Sequence, residues 1–245
     1  MKRGAKEIPL PLHQLVFSLF VSNLLSVSLW LIRIIGSGVR RYDFMLWNLF
    51  LAWLPLVVST ALLQHVRRRG WLKWSSVGLT VLWLLLLPNS FYMVTDLVHL
   101  QSTGEVNVLF DTVLMMSFIF NGLVIGYLSL VQVHRELLKR LSLRRANGMV
   151  ALILLVVSFA LYLGRSLRWN SWDVVIHPAG LLFDVSDRLI HPVSYPEAFL
   201  TTATFWLLFA TFYYVAWQIV RSGAHLLATP RSDPKDPSMS SDDAN

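Results

Sequence analysis

The 245-residue sequence is 55% hydrophobic and 14% charged, with a mean hydropathy of +0.56, whereas soluble domains carry roughly 25% charged residues. That excess of apolar side chains excludes an ordinary water-soluble core, and the absence of cysteine excludes disulfides, thiolate zinc sites, iron–sulfur clusters and cysteine nucleophiles. A formal net charge of +7 would fit nucleic acid only as a basic patch on a folded, water-facing surface. Here the basic residues sit in short connections between apolar runs, so the expected partner is the lipid bilayer and no nucleic acid.

In chain order, runs long enough to cross a hydrocarbon layer, about 20 residues each, predict spans at 15–35, 44–64, 75–95, 108–132, 148–164 and 198–220. The first follows Lys2, Arg3 and Lys6; it is too long for a signal-peptide core and lacks a convincing small-residue cleavage site, so it reads as a retained helix. The predicted fold is all-α: one polytopic transmembrane bundle of six spans over residues 1–228, with a disordered tail at 229–245, rich in Pro, Ser and Asp. Counted on alternate sides, Lys and Arg number 15 on the side of the termini and 6 on the other. This predicts a multi-pass protein with both termini cytoplasmic. Within the spans, Pro55 predicts a bend in the second, and Gly122 with Gly126 forms a small-xxx-small motif that permits close helix approach. Asn121 beside it can hydrogen-bond across helices. The loop from Arg135 to Arg145 reads as a basic helical extension resting on anionic headgroups.

On this topology the two longest polar-bearing connections, after spans three and five, face outward together. The first runs from Pro88 to Leu100, and Pro88 predicts a kink. At about 100° per residue, Asn89, Tyr92, Asp96 and His99 fall within a sector about 80° wide, a polar stripe on one helix face. Ionisable groups near membrane depth face a bundle interior or a water cavity, which makes Asp96 and His99 candidate functional groups. Their i, i+3 spacing fits ligation of a divalent metal or a carboxylate-oriented imidazole, or else a buried pair that pins the helix. Asp111, at the entrance of span four, is a candidate third carboxylate facing them, or an interfacial carboxylate favoured near a helix N-terminus.

The second connection begins Gly164-Arg165-Ser166-Leu167-Arg168-Trp169-Asn170-Ser171-Trp172-Asp173. Arg165 and Arg168 form a candidate clamp for phosphate or carboxylate, with Asn170 and Asp173 as further polar groups; an interfacial belt of Trp with snorkelling cations has the same composition. Asp173 and His177 are four apart, but Pro178 disfavours a helical conformation at 177. From Pro178 to His191, Leu181, Leu182, Val185 and Leu189 mark one face and Asp184, Asp187, Arg188 and His191 the other. That pattern predicts a short amphipathic helix lying on the membrane surface between spans five and six, capping the bundle.

These motifs resemble a bacterial family of polytopic membrane proteins known as domain-of-unknown-function family 1361. The family's Pro-Asn-x-Pro-Tyr, Thr-Asp and His-Leu pattern corresponds to Pro88, Asn89, Tyr92, Thr95, Asp96, His99 and Leu100, with Phe91 where the family usually has proline. A later Trp-Tyr-Asp pattern is reduced to Leu109-Phe110-Asp111, and the Gly-Arg, Arg-Trp-Asn-Ser-Trp-Asp pattern is matched from Gly164 to Asp173. The resemblance implies a multi-pass protein of a bacterial cytoplasmic (inner) membrane, and no activity.

Three functions fit these residues. In an enzyme, Asp96, His99 and Asp111 form an acid/base or metal site, while Asn89, Tyr92, Arg165, Arg168, Asn170 and Asp173 bind an anionic, lipid-linked substrate. A transporter would use the Pro88 break and midplane polar groups, although the sequence has no internal repeat. A non-catalytic component would dock a protein partner through its outward loops.

Overall fold

A computed structural model describes residues 12–101 and 106–228 of the chain; the tail predicted at 229–245 and the basic residues before position 12 lie outside them. The described residues form helices α1 (Leu12–Ser37), α2 (Phe44–Arg69), α3 (Trp74–Tyr92), α4 (Val108–Leu138), α5 (Leu143–Ser166), α6 (Asp173–Ile176), α7 (Pro178–Ile190) and α8 (Pro196–Ala228), with a 3-10 segment (Met93–His99) continuing α3. Six of these stretches are long and apolar enough to cross a bilayer, at Gln14–Ser37, Phe44–Arg69, Trp74–His99, Val108–Leu138, Leu143–Ser166 and Pro196–Ser222. The protein is thus a multi-pass, all-helical membrane protein. Helix is the required conformation here because hydrocarbon offers no partner to a backbone N–H or C=O.

The fourth and fifth spans are longer than their apolar runs, because α4 continues to Leu138 and α5 starts at Leu143. The basic loop read at 135–145 is therefore mostly helix end. Its chemistry centres on Glu136, which is buried and takes Lys139 Nζ at 2.8 Å, Arg67 Nε at 3.8 Å and Arg140 Nη2 at 3.9 Å. Pro55 and Pro88 both lie inside helices that run on past them.

α4 is the central helix and touches α1, α2, α3 and α5; α3 packs on α2, α4 and α5, and α8 lies along α5. One apolar cluster joins Met45, Leu114, Met115 and Phe118 across α2 and α4. A second joins Trp83, Phe91, Leu154, Leu161 and Phe209 across α3, α5 and α8. Lipid tails are as apolar as these side chains, so the bundle is held by close packing and interhelical hydrogen bonds rather than by escape from water. Trp83 Nε1 donates to Ser129 Oγ at 2.7 Å, and Ser129 in turn donates to the carbonyl of Pro55 at 3.0 Å, tying α3, α4 and α2 together. Asn121 Nδ2 reaches α1, donating to Ser26 Oγ at 2.9 Å and to the Ser22 carbonyl at 3.3 Å. Gly122 and Gly126 let α3 come so close that a Cβ at either would overlap Ser90, with Met93 or Phe91 beside it.

α6 and α7 cap the end of the bundle opposite the start of α1 and the end of α8. His177 separates them at φ −131 and ψ 52, outside the helical region as Pro178 requires. α7 is amphipathic as predicted, but the boundary between its two faces points inward, with Asp184 and Arg188 turned to the bundle on one side of it and Leu181 and Val185 on the other. Arg188 is buried, donates to the Asp184 carbonyl at 2.8 Å and lies 4.8 Å over the Tyr195 ring, while Leu182, Phe183, Leu189 and Ile190 are exposed. Leu181 and Val185 pack with Tyr162, Leu163 and Ala198. For a helix at a bilayer surface the exposed apolar row is the membrane-facing one.

Asp187 fixes the end of α7, accepting from Tyr195 Oη at 2.6 Å and His191 Nδ1 at 2.9 Å. The Tyr195 hydroxyl first, and then the His191 ring, hold its carboxyl below the usual carboxylate range, with Asp184 and Arg188 as the other charges nearby. A carboxyl depressed in the fold contributes stability that is complete above its unfolded value, about 3.9, and lost as pH falls through the lower folded value. Docking of α7 should therefore loosen only below about pH 4. Pepsin cleavage between residues 178 and 195, normalised to an unstructured reference peptide, will rise there in the wild type and show no such step in Asp187→Asn.

Candidate functional site

The change from α-helix to 3-10 helix at Met93 positions the site. In a 3-10 helix residues i and i+3 eclipse, so Asp96 and His99 stand one above the other rather than about 60° apart as in an α-helix. Thr95 Oγ1 secures the transition by donating to the Tyr92 carbonyl at 2.7 Å. Asp96 is buried at the base, 1% exposed, and His99 lies at the exposed end of the segment with its ring edge on Phe44, 5.3 Å between centroids.

All four residues of the stripe meet the last turn of α5 or the connection that follows it. Asn89 Nδ2 donates to Ser171 Oγ at 3.3 Å, and Tyr92 Oη donates to the Gly164 carbonyl at 3.5 Å. Arg165 places Nη1 3.7 Å from Asp96 Oδ1 and Nη2 3.1 Å from His99 Nε2. Gly164 admits this approach, since a Cβ there would stand 3.1 Å from the Tyr92 ring and 3.3 Å from the Trp169 carbonyl. The two motifs read separately in the sequence are thus one construction, with Arg165 at its centre.

The donor and acceptor roles follow from the partners. A guanidinium only donates, so His99 Nε2 accepts and the neutral ring carries its proton on Nδ1. Asp96 also accepts from Asn48 Nδ2 of α2 at 2.9 Å, so the carboxylate both orients Arg165 and fastens it to the bundle. Arg165 also fills the space between Asp96 and His99 that a shared divalent metal would occupy, and its charge opposes a second cation there. Among the described residues no three His, Asp or Glu side chains converge on a metal position. The donor set does not fit the metal reading of Asp96 and His99.

The remaining sequence candidates have other partners. Asp111, expected opposite Asp96 and His99, is buried and engaged by Arg33 of α1, whose Nε lies at 2.9 Å and Nη2 at 3.4 Å, and by Tyr42 Oη at 3.3 Å. Asn170 and Asp173 bond to each other, Asp173 Oδ2 accepting from the Asn170 backbone N–H at 2.7 Å and its Nδ2 at 3.3 Å. They close the turn into α6. Arg168 is exposed and has φ +61, a left-handed conformation that costs a non-glycine residue of order 1–2 kcal/mol. It turns the chain so that Trp169 N–H reaches the Leu163 carbonyl at 3.3 Å and Trp169 Nε1 reaches Asp184 Oδ2 at 2.7 Å. Arg33, Tyr42 and Asn48 were not singled out from the sequence. Arg33, an arginine inside an apolar run, carried the one available signal, because such a residue is a site candidate by default.

No curated protein and no solved structure matches the chain. The family model described as "Protein of unknown function (DUF1361)" matches residues 47–217, a stretch that holds both motifs and most of the bundle, and the chain therefore belongs to that family.

Proposed function

We propose that the end of the bundle opposite the termini binds an anionic group, a phosphate or carboxylate on a lipid-linked substrate, and that Arg165 is the residue that takes it. The observation that carries this reading is the double engagement of Arg165 by Asp96 and His99. A guanidinium has five N–H donors in a planar fork matched to an oxyanion, and Asp96 and His99 use only part of that capacity. Arg165 is 29% exposed, and Arg168 three residues on in the chain is exposed as well, so an anion arriving from the bilayer surface meets two cations on this segment. An oxyanion that draws Arg165 Nη2 outward frees the Nε2 lone pair of His99. His99 is then a general base beside the bound group, while Asp96 keeps the guanidinium in place. On this reading the site faces away from the cytoplasm of a bacterial cell, with both termini cytoplasmic, as the 15 to 6 division of Lys and Arg favours.

The test is binding of dodecyl phosphate, with dodecyl carboxylate and dodecyl trimethylammonium for comparison, to purified full-length protein in neutral detergent. Saturable binding of the two anions and not the cation is expected. Losing a charge-assisted hydrogen bond costs about 1.5–3 kcal/mol, so Arg165→Gln should weaken binding by roughly 10- to 100-fold. Asp96→Asn should weaken it less, because the donors remain and only their orientation is relaxed. Equal binding of all three amphiphiles, or no change in Arg165→Gln, overturns the reading.

A further inference from the structure

At the end of the bundle opposite the Arg165 site, the turn between α2 and α3 and the end of α4 form a cleft of about 390 Å³, lined by Arg69, Gly70, Trp71, Leu72, Lys73 and Arg140. The fold builds it from two separate pieces of chain. Gly70, at φ 84, ends α2 with its N–H on the Val66 carbonyl at 2.8 Å, and its own carbonyl accepts from Ser76 Oγ of α3 at 2.6 Å. Glu136 draws α4 to this turn, with Arg67 Nε at 3.8 Å and Arg140 Nη2 at 3.9 Å. Three cations therefore line one cleft, and their donors are largely free. Arg69 and Lys73 are exposed and have no side-chain hydrogen bond or ion pair among the described residues. Arg140 is 49% exposed and meets Glu136 beyond hydrogen-bond distance. Glu136 is also shared with Arg67 and Lys139, and it is the one acidic residue in segments 62–78 and 133–150, which carry nine Lys and Arg.

Charge selects an anion, because guanidinium and ammonium groups only donate, and phosphate oxygens suit both. The volume falls in the range of about 300–1,000 Å³ usual for ligand sites. Depth identifies the source of the phosphate. The second apolar span ends at Arg69, the third begins at Trp74, and the fourth ends at Leu138, two residues before Arg140. The cleft thus lies where hydrocarbon gives way to headgroups, the position in which basic pockets between helices take anionic lipids. Lys73 stands between Leu72 and Trp74, which are 97% and 89% exposed; a cation flanked by projecting apolar side chains suits the interface rather than open water. From Trp74 the exposed face of α3 continues through Val77 and Val81, at i+3 and i+7, and Gly78 leaves a notch between them. This apolar track runs about 10 Å from the cleft into the hydrocarbon layer. It offers a path to an acyl chain below a bound phosphate and nothing to a soluble anion.

We propose that this cleft binds the headgroup of an anionic phospholipid, with Arg69, Lys73 and Arg140 donating to its phosphate and an acyl chain lying along Trp74, Val77 and Val81. The test is native mass spectrometry of the full-length protein in neutral detergent, titrated with dioleoylphosphatidylglycerol and, for comparison, with dioleoylphosphatidylcholine, which has the same chains and no net charge. The first phosphatidylglycerol should bind roughly tenfold more tightly than phosphatidylcholine. Arg69→Gln combined with Lys73→Gln should weaken it by roughly 10- to 30-fold, about fivefold for each cation. Both side chains are exposed and unpaired, so thermal melting should stay at the wild-type value. Arg144→Gln combined with Arg221→Gln removes the same charge from exposed positions at the same end of the bundle, outside the cleft, and should change binding by less than about threefold in physiological salt. Equal losses in the two double variants would reveal diffuse surface charge and overturn the proposal. Displacement of the lipid by an equal concentration of sn-glycerol 3-phosphate would overturn it in favour of a soluble phosphate. Arg165→Gln should keep the tight binding; its loss there would assign the lipid to the opposite end of the bundle and overturn the proposal as well.

Discussion

Replacing Asp111 with alanine will destabilise the bundle by about 3–5 kcal/mol, and replacing Asp111 and Arg33 together with leucine and methionine will recover most of that loss. Both side chains are 1% exposed, and the pair joins α1 to the first turn of α4 with Arg33 Nε 2.9 Å from Asp111 Oδ1. Removing the carboxylate takes the anion from Arg33 Nε and Nη2 and leaves a charged guanidinium sealed in the bundle, held by the Val39 carbonyl at 2.8 Å and Ser37 Oγ at 3.3 Å beside the Tyr42 ring, its carbon 4.8 Å from the ring centroid. Tyr42 loses a partner as well, since its hydroxyl lies 3.3 Å from Asp111 Oδ2. A buried charge stripped of its counter-ion is the costly state; an apolar pair of similar volume avoids it altogether. Thermal unfolding in detergent, read by circular dichroism for wild type, Asp111→Leu, Arg33→Met and the double variant, gives the coupling directly, with Asp111→Ala melted beside them. If Asp111 acted instead at the Arg165 site, Asp111→Ala would lose dodecyl phosphate binding without a matching loss of melting temperature. The arrangement predicts the reverse, a large stability effect with the binding constant of the folded fraction nearly unchanged.

What the sequence reveals and conceals divides along physical lines. The spans and the small-residue motif are local: a run of about 20 apolar residues or two glycines four apart state their purpose within one helix. The stripe from Asn89 to His99 was legible for the same reason, and its four members all meet the 164–171 segment. The partner of Asp111 was not legible, because Arg33 lies 78 residues away and the choice between Arg33 and Asp96 depends on which helices pack together. Asn48 was concealed similarly, since a single amide in an apolar run shows no periodicity. α7 shows a different limit. Its amphipathic pattern was legible, yet Arg188 turned out buried and Leu182 exposed while Leu181 and Val185 pack inward, because at a bilayer surface only part of the apolar face turns to lipid. Periodicity finds a face and the solvent decides where it points.

Gly122→Val will separate α3 from α4 and cost about 3 kcal/mol or more, at the upper end of overpacking penalties. The reason is the nature of the atom in the way. A Cβ at Gly122 would stand 2.6 Å from the Ser90 carbonyl oxygen, with the Met93 terminal methyl also in its path. The methyl can rotate aside but the carbonyl belongs to the backbone of α3, so the whole helix must retreat. Gly126 is less demanding. Its Cβ would meet the Ser90 side chain at 2.8 Å and the Phe91 ring at 2.9 Å, and Gly126→Ala should be milder than Gly122→Ala because side chains can give way. The consequence reaches beyond stability, since Ser90 also donates to the Ala52 carbonyl at 2.8 Å and so ties α3 to α2. A displaced α3 carries with it the 3-10 segment that begins at Met93, and with that Asp96 and His99. Gly122→Ala, the smallest version of the change, should lower the melting temperature and weaken dodecyl phosphate binding together, although residue 122 lies on α4 away from every polar group of the site. A variant that melts early but binds with wild-type affinity in its folded fraction would show that the site does not depend on this helix contact.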